Sequence, residues 1–323
     1  MPSVPDSGSR IYIAGHRGLA GSAIVRALSE RGFRNLLLRS HAELELSDQS
    51  AVRAFFEQEK PDYVVLAAAK VGGILANSTY PADFIQQNLA IQTNVLHESW
   101  RAGVKRLLFL GSSCIYPRDC PQPIKEEFLL TGPLESTNRP YAIAKIAGIE
   151  MCWSYNRQHG TRFLAAMPTN LYGPGDNYDL TNSHVLPALI RKVHEAKIRG
   201  ESEVVVWGTG TPRREFLYSD DMADACVHLL GLPDREFDTL RTEGHPPLVN
   251  IGCGEDLSIA ELAAIVTQTL SFGGALHFDA SKPDGTPRKL LDVSRINSLG
   301  WHARTPLHAG IEHAYADFLR HAG

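Results

Sequence analysis

The strongest constraint on the fold of this chain is a regular alternation, from Ile11 to about Met167, of short apolar runs with longer amphipathic stretches. The apolar runs are predicted as buried strands and comprise Ile11–Ala14, Leu36–Leu38, Tyr63–Ala67, Arg106–Leu110 and Phe163–Met167. Helical periodicity between them predicts helices over Ser22–Arg31, Ser50–Glu59, Asn88–Arg101 and Tyr141–His159. Such alternation is typical of parallel strands covered by helices on both faces. It predicts an α/β fold with a Rossmann-type, doubly wound parallel sheet.

Beyond Pro168 the chain changes character, which indicates a second and smaller α/β domain. Residues 168–184 are rich in Pro, Gly, Asn and Asp, and they precede a predicted helix over Val185–Lys197 and a predicted strand over Val204–Trp207. A chain of 323 residues is long enough for about two domains. We therefore expect domains over 1–168 and 169–323. The apolar run Pro247–Ile251 predicts that the segment about 214–252 returns to the first sheet.

Composition excludes several classes of protein. Hydrophobic residues make up 43% of the chain, charged residues 21%, and the formal net charge is −4, which is ordinary for a globular protein and too acidic for nucleic-acid binding. No apolar run approaches the length of a membrane span, and Met1–Arg10 lacks the apolar core of a signal peptide. We expect a cytoplasmic protein with neither a membrane nor a nucleic-acid partner.

The cysteines indicate neither a disulfide framework nor a zinc site. Their number is odd and no two have CxxC spacing; they are Cys114, Cys120, Cys152, Cys226 and Cys253. We expect no metal, and we expect most of these residues to be small buried hydrophobes. At least one of them is a candidate working thiol.

A glycine-rich loop follows the first predicted strand directly and leads into a helix. It runs Gly15, His16, Arg17, Gly18, Leu19, Ala20, Gly21. Glycines at this spacing allow a tight turn and let backbone N–H groups approach a pyrophosphate at the helix N-terminus. The motif alone is also compatible with a plain turn, but its position at the start of a βαβ unit favours dinucleotide binding. We interpret the loop as cofactor-binding and residues 1–168 as the cofactor domain.

The residues after the second predicted strand indicate which dinucleotide is bound. An NAD enzyme has an acidic residue there for the ribose 2′-hydroxyl, whereas this chain has Arg39 and His41, with Arg17 nearby in the glycine loop. A guanidinium can bind an additional 2′-phosphate through two charge-assisted hydrogen bonds. The pattern predicts NADP(H). The alternative is that Arg39 is only a solvated charge at a strand end.

Tyr141 and Lys145 are four residues apart in a predicted helix and therefore share one face. An ammonium beside a phenol favours the phenolate and lowers a tyrosine pKa that is ordinarily about 10, which makes the residue a usable acid or base. The fourth predicted strand ends in Gly111, Ser112, Ser113 and Cys114. Because such strand ends face the ligand crevice, we predict an acid–base group there.

The glycine loop, Ser112, Tyr141 and Lys145 together resemble those of the extended short-chain dehydrogenases/reductases. Further segments resemble one family among these enzymes, the GDP-L-fucose synthases: AAAKVGGI (67–74), FLGSSCIYP (109–117), Pro140–Gly148, MPTNLYGP (167–174), NSHVLPALIRK (182–192), VVVWGTGTPRREF (204–216) and DASKPDGTPRKLLD (279–292). The resemblance implies a bifunctional enzyme that acts on GDP-4-keto-6-deoxy-D-mannose. It would epimerise C3 and C5 and then reduce the C4 ketone with NADPH.

The resemblance also implies roles for individual residues. Tyr141 would deliver a proton to the C4 oxygen, Lys145 would hold the nicotinamide ribose and tune Tyr141, and Ser112 would hydrogen-bond the ketone. Cys114 and His184 match the family's pair for epimerisation. The cofactor would also contact Leu110, Gly111, Ser113, Pro168, Thr169, Asn170, Leu171 and His184, and the GDP-sugar would contact Lys192, Trp207, Arg214 and Asp284. Related proteins can have arginine at the positions of His41 and Lys192, which implies weaker phosphate contacts in this chain.

Chemistry supports a cysteine as the epimerising base independently of the resemblance. A C4 ketone acidifies the protons on both neighbouring carbons, so a thiolate and a proton donor on opposite faces can invert C3 and C5 through enolates. A thiol pKa, ordinarily about 8.5, is readily lowered by nearby positive groups. The simpler interpretations are a structural thiol for Cys114, a loop histidine for His184, a core aromatic for Trp207 and a surface pair for Arg213 and Arg214.

Other functions are compatible with the same fold. A nucleotide-sugar 4-epimerase or 4,6-dehydratase would more naturally prefer NAD, and dehydratases tend to have Asp-Glu where this chain has Ser113-Cys114. A non-catalytic NADP(H)-sensing protein would not need Ser112, Tyr141 and Lys145. The predicted helices Asn88–Arg101 and Tyr141–His159 correspond to those that pair across a two-fold axis in the family, so we expect a homodimer.

Overall fold

The computed structural model describes residues 4–180, 183–282 and 284–321; residues 1–3, Asn182 of the segment 182–192 and Pro283 of the segment 279–292 lie outside the described residues. The strands are β1 (Ile11–Ala14), β2 (Leu36–Leu37), β3 (Tyr63–Leu66), β4 (Arg106–Leu110), β5 (Phe163–Pro168), β6 (Asn170–Tyr172), β7 (Glu203–Trp207), β8 (Arg213–Arg214), β9 (Phe216–Tyr218), β10 (Leu248–Ile251), β11 (Leu257–Ser258), β12 (Ala275–Asp279) and β13 (Arg288–Lys289). The helices are α1 (Leu19–Glu30), α2 (Gln49–Glu59), α3 (Ile74–Thr79), α4 (Pro81–Arg101), α5 (Arg139–His159), α6 (Val185–Arg199), α7 (Ser219–Gly231), α8 (Asp234–Thr239), α9 (Ile259–Thr269), α10 (Ser294–Ser298) and α11 (Leu307–His321).

A six-stranded parallel sheet in the order β10-β5-β4-β3-β1-β2 forms the centre of the described structure. In β1, Ile11 lies opposite Leu36 on one side and Tyr63 on the other. The chain thus adds β2 on one side of β1 and β3, β4 and β5 on the other. Sheets of this kind bind ligands beyond the C-terminal strand ends at the point of reversal. The predicted doubly wound Rossmann-type fold is confirmed.

Most predicted element boundaries agree closely with the structure, since each predicted strand matches an observed one to within one residue at either end. The main difference is α4, which begins at Pro81 and not at Asn88. A proline at the first helical position loses no hydrogen bond, because that N–H would have no partner within the helix. The helix therefore starts seven residues before the segment over which it was predicted.

Helices cover both faces of the sheet, which explains why its strands are apolar throughout. One hydrophobic cluster joins the sheet to α1 and α7, and a second joins it to α2, α4 and α5. On α4, Gln92 donates to the carbonyl of Ala144 on α5 (2.7 Å), and Asn88 exchanges two 3.0 Å hydrogen bonds with the backbone of Lys70 after β3. These bonds fix the loop after β3 beside the crevice. No helix in the described ranges combines the length and apolar character that crossing a bilayer requires.

The C-terminal part of the chain forms a smaller unit around its own core, which includes residues of α6, α9, α11, β7 and β12. In this unit β7 pairs with β12, β6 pairs with β9, and β8 lies between β11 and β13. The chain also crosses back to the large sheet, because β10 pairs with β5, with Leu248 opposite Ala165. The chain therefore passes between the two units more than once.

Candidate active site

The glycine loop brings two backbone segments closer together than a side chain would allow. Gly15 has a φ of +86°, and a Cβ there would lie 2.7 Å from the backbone N of Ala68. A Cβ at Gly21 would overlap the carbonyl oxygen of Gly15. Among the described residues, no side chain caps the first turn of α1 after Gly18. The loop is therefore a cradle whose free N–H groups suit a pyrophosphate.

The other loop residues surround this cradle. The Nδ1 atom of His16 is buried and has no hydrogen-bond partner within the described part of the chain, which makes it available to a ligand. Arg17 lies exposed at the rim, while Leu19 and Ala20 form the first turn of α1. The cradle and the unpaired nitrogen together fit a dinucleotide.

Arg39 lies just after β2 and is already engaged by neighbouring groups. Its guanidinium donates to Glu59 (2.6 Å) and to the carbonyl of Leu38 (2.9 Å), and it lies 5.5 Å from the ring centroid of Phe55. The side chain is still 33% exposed, so it can also reach a ligand. Sequence reasoning missed Glu59, because its contact with Arg39 spans the whole of α2 and no local pattern signals it.

Other charged groups gather at the same corner. Glu43 accepts hydrogen bonds from the N–H (2.7 Å) and the hydroxyl (2.6 Å) of Ser40. These bonds, helped by the nearby charges of Arg39 and Arg17, hold the pKa of Glu43 below its ordinary value. His41 is exposed, and its Nε2 lies 2.6 Å from a carboxylate oxygen of the glutamate four residues further on. Arg39 and Arg17 thus both lie near Glu43, at the corner where the 2′-phosphate was predicted to bind, whereas His41 contacts a different carboxylate.

The end of β4 carries a set of predicted site residues to the crevice: Leu110, Gly111, Ser112, Ser113 and Cys114. Residues 113–115 form a 3₁₀ turn in which the N–H of Cys114 donates to the Oγ of Ser112 at 3.4 Å. Ser113 and Cys114 are buried. Ser112 therefore both caps this turn and stands at the strand end.

Lys145 ties α5 to the same strand end. Its ammonium donates to the carbonyl of Leu110 (2.8 Å) and lies 4.7 Å from the ring centroid of Phe109 and 5.8 Å from that of Tyr141. The residue is only 3% exposed, and burial lowers its pKa to about 8. The Tyr141 ring also meets Phe84 edge to face, with 6.4 Å between centroids. Lys145 and Tyr141 thus share one packed helix face beside β4.

The charge state of Tyr141 differs from the prediction based on its spacing with Lys145. Burial raises the pKa of Tyr141, the thiol of Cys114 adds to the rise, and a hydrogen bond with Ser112 opposes it. The expected stabilisation of the phenolate by Lys145 is missing because that ammonium is directed to the Leu110 carbonyl. In the protein alone Tyr141 is a neutral phenol, which is the form that donates a proton.

Cys114 and His184 come from different parts of the fold, since Cys114 follows β4 and His184 precedes α6. Burial raises the pKa of the Cys114 thiol, and the charge of Lys289, a hydrogen bond with Ser112 and the charge of Lys145 oppose the rise. His184 directly precedes α6; desolvation by its neighbours lowers its pKa, although part of the residue is open to solvent. No hydrogen bond joins Cys114 to His184 within the described residues. Sequence reasoning missed Lys289, whose signal was its place in the family-like segment 279–292.

The segment after β5 connects the two units and carries the predicted cofactor residues Pro168, Thr169, Asn170 and Leu171. Thr169 and Asn170 donate to the carbonyl of Glu215 at 3.3 and 2.8 Å. The buried carboxylate of Glu215 accepts from the N–H groups of Gly254 (2.7 Å) and Leu291 (3.0 Å). Glu215, which sequence reasoning did not single out, therefore fixes this segment against the smaller unit.

Trp207 ends β7 as a largely exposed aromatic surface, 64% accessible to solvent. The ammonium of Lys192 lies 5.1 Å from its ring centroid and also donates to the carbonyl of Val205 at 3.2 Å. The ammonium of Lys282 lies 5.7 Å from the same ring. An exposed ring beside two ammonium groups suits a base or sugar attached to phosphates. Lys282 is an addition to the predicted set.

The neighbouring arginines of β8 have different surroundings. Arg213 pairs with Asp256 at 3.0 Å, as its interpretation as a surface charge predicts. The guanidinium of Arg214 donates to the carbonyl of Arg213 (2.8 Å), and burial lowers its pKa against the opposing charge of Asp284. Asp284 accepts from the N–H (2.9 Å) and the hydroxyl (2.7 Å) of Thr209. Arg214 is therefore inward and available, whereas Asp284 holds the loop after β7.

The glycine cradle follows β1, Ser112 follows β4, and Tyr141 and Lys145 lie on α5 beside the end of β4. Together they place an acid–base group beside a dinucleotide site. These features define a dinucleotide-dependent oxidoreductase of the extended short-chain class. Cys114 adds a thiol beside the group, and Arg214 adds an inward cation. The site can therefore combine proton abstraction with carbonyl reduction.

Comparisons with known proteins agree with this class. The pattern of the NAD dependent epimerase/dehydratase family matches residues 11–252. GDP-L-fucose synthase 1 of Arabidopsis thaliana is 58% identical over 320 residues, which cover 99% of this chain and 96% of that protein. GDP-L-fucose synthase of Escherichia coli (strain K12) is 54% identical over 316 residues, or 97% of each chain. The chain belongs to the NAD dependent epimerase/dehydratase family and, within it, to the GDP-L-fucose synthases.

A solved structure supports the same assignment. A GDP-L-fucose synthetase from Naegleria fowleri bound to NADP matches with a TM-score of 0.89 at 29% identity, covering 99% of this chain and 96% of that one. The predicted family and the predicted use of NADP(H) by an enzyme of this class are confirmed. The roles of individual site residues are still predictions.

Proposed function

We propose that this protein converts GDP-4-keto-6-deoxy-D-mannose to GDP-L-fucose by epimerising C3 and C5 and then reducing the C4 ketone. The observation that carries the proposal is the position of Cys114, on the same strand end as Ser112 and beside Tyr141 and Lys145. An enzyme that only reduced a ketone would need no thiol there. NADPH, when bound, supplies the hydride that C4 receives.

The reductive step needs a proton at the C4 oxygen. The Ser112 hydroxyl hydrogen-bonds the ketone and directs it toward Tyr141, whose neutral phenol donates the proton. The phenolate left behind lies on the same helix face as the ammonium of Lys145, which is 5.8 Å from the ring centroid. Because burial already lowers the pKa of Lys145 to about 8, that lysine can return a proton to Tyr141 between turnovers.

The epimerising step needs a base beside the ketone. The thiolate of Cys114 takes the proton from C3 or C5, and the electron pair of the C–H bond moves into an enolate whose oxygen is held by Ser112 and Tyr141. His184, on the other face, returns a proton to carbon. Burial favours the neutral imidazole, and the negative diphosphate of a bound substrate favours the imidazolium that can donate. Reduction then removes the ketone and ends the exchange.

The substrate's GDP group fits the smaller unit. Arg214 and Lys192 are the cations that a diphosphate would engage, and Trp207 offers its exposed ring to the base or sugar.

We also propose that the enzyme is a cytosolic homodimer. The free state of all five cysteines suits a reducing compartment, and α5 exposes Ile143 (37%) on a face that a second copy could cover.

The proposed function is tested by hydrogen exchange without reduction. In deuterated water, with oxidised cofactor bound, the enzyme should introduce deuterium at C3 and C5 of GDP-4-keto-6-deoxy-D-mannose. Cys114→Ser should slow this exchange by at least about a hundredfold, because a hydroxyl is too weakly acidic to act as an unaided base. Cys253→Ser changes an exposed cysteine and is the matched control. Undiminished exchange in Cys114→Ser would return that residue to a structural role, and no NADPH oxidation with this substrate would reject the function.

A further inference from the structure

Several of the passages by which the chain moves between its two units meet at Glu215. Residues 168–170 lead from β5 to β6, residues 251–257 lead from β10 to β11, and residues 289–294 lead from β13 to α10. Glu215 itself lies between β8, in the smaller unit, and β9, which pairs with β6. Each of these passages is hydrogen-bonded to Glu215.

The side chain of Glu215 holds two of the passages. It is fully buried, and its Oε1 accepts from the N–H of Gly254 (2.7 Å) while its Oε2 accepts from the N–H of Leu291 (3.0 Å). No lysine, arginine or histidine in the described ranges forms an ion pair with this carboxylate. A buried carboxylate without a counter-ion is unfavourable unless donors satisfy it, so its position depends on these N–H groups.

The backbone of Glu215 holds the segment between β5 and β6. Its carbonyl accepts from the side-chain amide of Asn170 (2.8 Å) and from the hydroxyl of Thr169 (3.3 Å). This segment, 168–171, carries predicted cofactor contacts. The residue before Glu215 is Arg214, the inward cation proposed to bind the substrate's diphosphate. Glu215 therefore links the cofactor side of the crevice to the substrate side.

The neighbourhood of the carboxylate requires a glycine at position 252. A Cβ on Gly252 would lie 2.2 Å from Oε1 of Glu215, and its three nearest atoms would all belong to that carboxylate. The φ of Gly252 is not positive, so alanine would fit the backbone there and would displace the carboxylate. Glutamine cannot replace Glu215 without loss, because an amide has one oxygen and its NH₂ would face one of the two N–H groups.

We propose that Glu215 is a positioning residue that holds Arg214 in register with the cofactor segment 168–171, so that C4 of the bound sugar meets the nicotinamide. This inference rests on the proposed function. The glycine cradle after β1 and the exposed ring of Trp207 lie outside this framework of bonds. Loss of the register should therefore slow the reaction between bound ligands more than it weakens the binding of either ligand.

The test measures hydride transfer and ligand binding separately in Glu215→Gln. Enzyme saturated with NADPH is mixed with saturating GDP-4-keto-6-deoxy-D-mannose, and the rate is expressed per folded site, counted by fluorescence titration with NADPH. That rate should fall about tenfold to a hundredfold, as a misplacement of about 1 Å can cause, whereas the Kd of NADPH and the Kd of GDP should each change less than about threefold. The isotope effect with NADPH deuterated at the transferred position should rise, because hydride transfer becomes rate-limiting.

Two further variants make the result specific to the position of this carboxylate. Gly252→Ala keeps the carboxylate but displaces it, and should lower the rate at saturation in the same way. Glu126→Gln is the matched control, because Glu126 is also buried but binds the N–H of Asn250 through one oxygen (3.0 Å), a bond that glutamine can keep. It should leave the rate unchanged. If near-ultraviolet circular dichroism shows that Glu215→Gln does not fold, Gly252→Ala decides alone.

A purely structural Glu215 would give a different result. Glu215→Gln and Gly252→Ala would then have lower melting temperatures but unchanged rates per folded site, and that result would overturn the proposal. A weaker Kd of GDP with an unchanged rate at saturation would also overturn it, because it would assign the effect to substrate binding by Arg214. Failure of the proposed function appears elsewhere, in an unmodified enzyme that does not oxidise NADPH with this substrate.

Discussion

A buried cation lies at each end of β4, and the two cations differ in how many hydrogen-bond acceptors surround them. At the first residue, Arg106 is fully buried, and its guanidinium donates to the carbonyls of Leu230 (2.7 Å) and Leu232 (2.6 Å) and to Asp234 (2.6 Å). It also lies 4.3 Å from the ring centroid of Phe237. Carbonyls and a carboxylate replace most of the water that this charge has lost, and only its Nε has no partner among the described residues.

At the last residue of β4, the carbonyl of Leu110 is the one acceptor that Lys145 has in the described part of the chain. An ammonium has three donors, so two are left for ligands. Burial without a counter-ion lowers the pKa of Lys145 to about 8, whereas Arg106 stays a charged structural group. The buried charge is therefore paired at the end of β4 that contributes to stability, and it is incompletely paired at the end where cofactor and substrate are predicted to bind.

The largest expected effect is at the underpaired end. Tyr141→Phe removes the proton donor but keeps the ring against Phe84, so NADPH oxidation should fall by roughly two to four orders of magnitude. NADPH binding, followed by fluorescence titration, and the melting temperature should both stay close to those of the unmodified enzyme. Turnover near the original rate would show that another group protonates the C4 oxygen.

At the paired end, the expected loss is of stability and not of chemistry. Arg106→Met keeps an apolar stem but leaves two carbonyls without their donor and takes one of two cations from Asp234, which keeps Arg162 at 3.6 Å, so the free energy of unfolding should fall by about 3 kcal/mol. Urea unfolding measures this, with kcat expected to be unchanged in the folded fraction. The neighbouring Lys105→Met, which breaks a partly exposed pair with Asp62, should cost less than about 1 kcal/mol. Equal losses in the two variants would remove the distinction between the ends.

The features that depend on residues close together in the chain could be predicted from the sequence. The glycine loop, the Tyr141–Lys145 spacing and the residues at the end of β4 could all be predicted, because strand, turn and helix propensities are local. The start of α4 at Pro81 was missed, although Phe84 in its first turn is buried.

Contacts between distant segments could not be predicted in this way. Glu59 reaches Arg39 across α2, Glu215 ties Thr169 to Leu291, and Lys289, near the end of the chain, pairs in register with Arg214 on β8. The neutral state of Tyr141 was also beyond the sequence, because it depends on where the Lys145 ammonium points. Charge states are set by burial and orientation, which spacing along a helix does not define.

A smaller effect should appear in the pH dependence of stability without cofactor. Burial lowers the pKa of Lys145 from 10.5 to about 8, so between these values the unfolded chain holds a proton that the native protein has released. The unmodified protein therefore gains stability relative to Lys145→Met as the pH rises through this window, by up to about 3 kcal/mol in total. The lost bond to Leu110 adds only a constant offset. Parallel stability curves for the two proteins would contradict an underpaired ammonium.

The smallest expected effect concerns Arg39, a cation that is partly paired and partly exposed. Arg39 shares Glu59 with Arg10, each bonded to one carboxylate oxygen at 2.6 Å, but Arg39 follows β2 at the cofactor corner while Arg10 precedes β1. Arg39→Asp should therefore reduce kcat/KM for NADPH by about tenfold to a hundredfold, the value of one or two hydrogen bonds to a charged phosphate, with little change for NADH. Arg10→Ala removes the other bond to Glu59 and should leave the cofactor preference as it is. Two outcomes would contradict this prediction: equal use of both cofactors by the unmodified enzyme, or an equal loss of kcat/KM for NADPH in Arg10→Ala. Either would show that the charge at this corner stabilises α2 and does not recognise the 2′-phosphate.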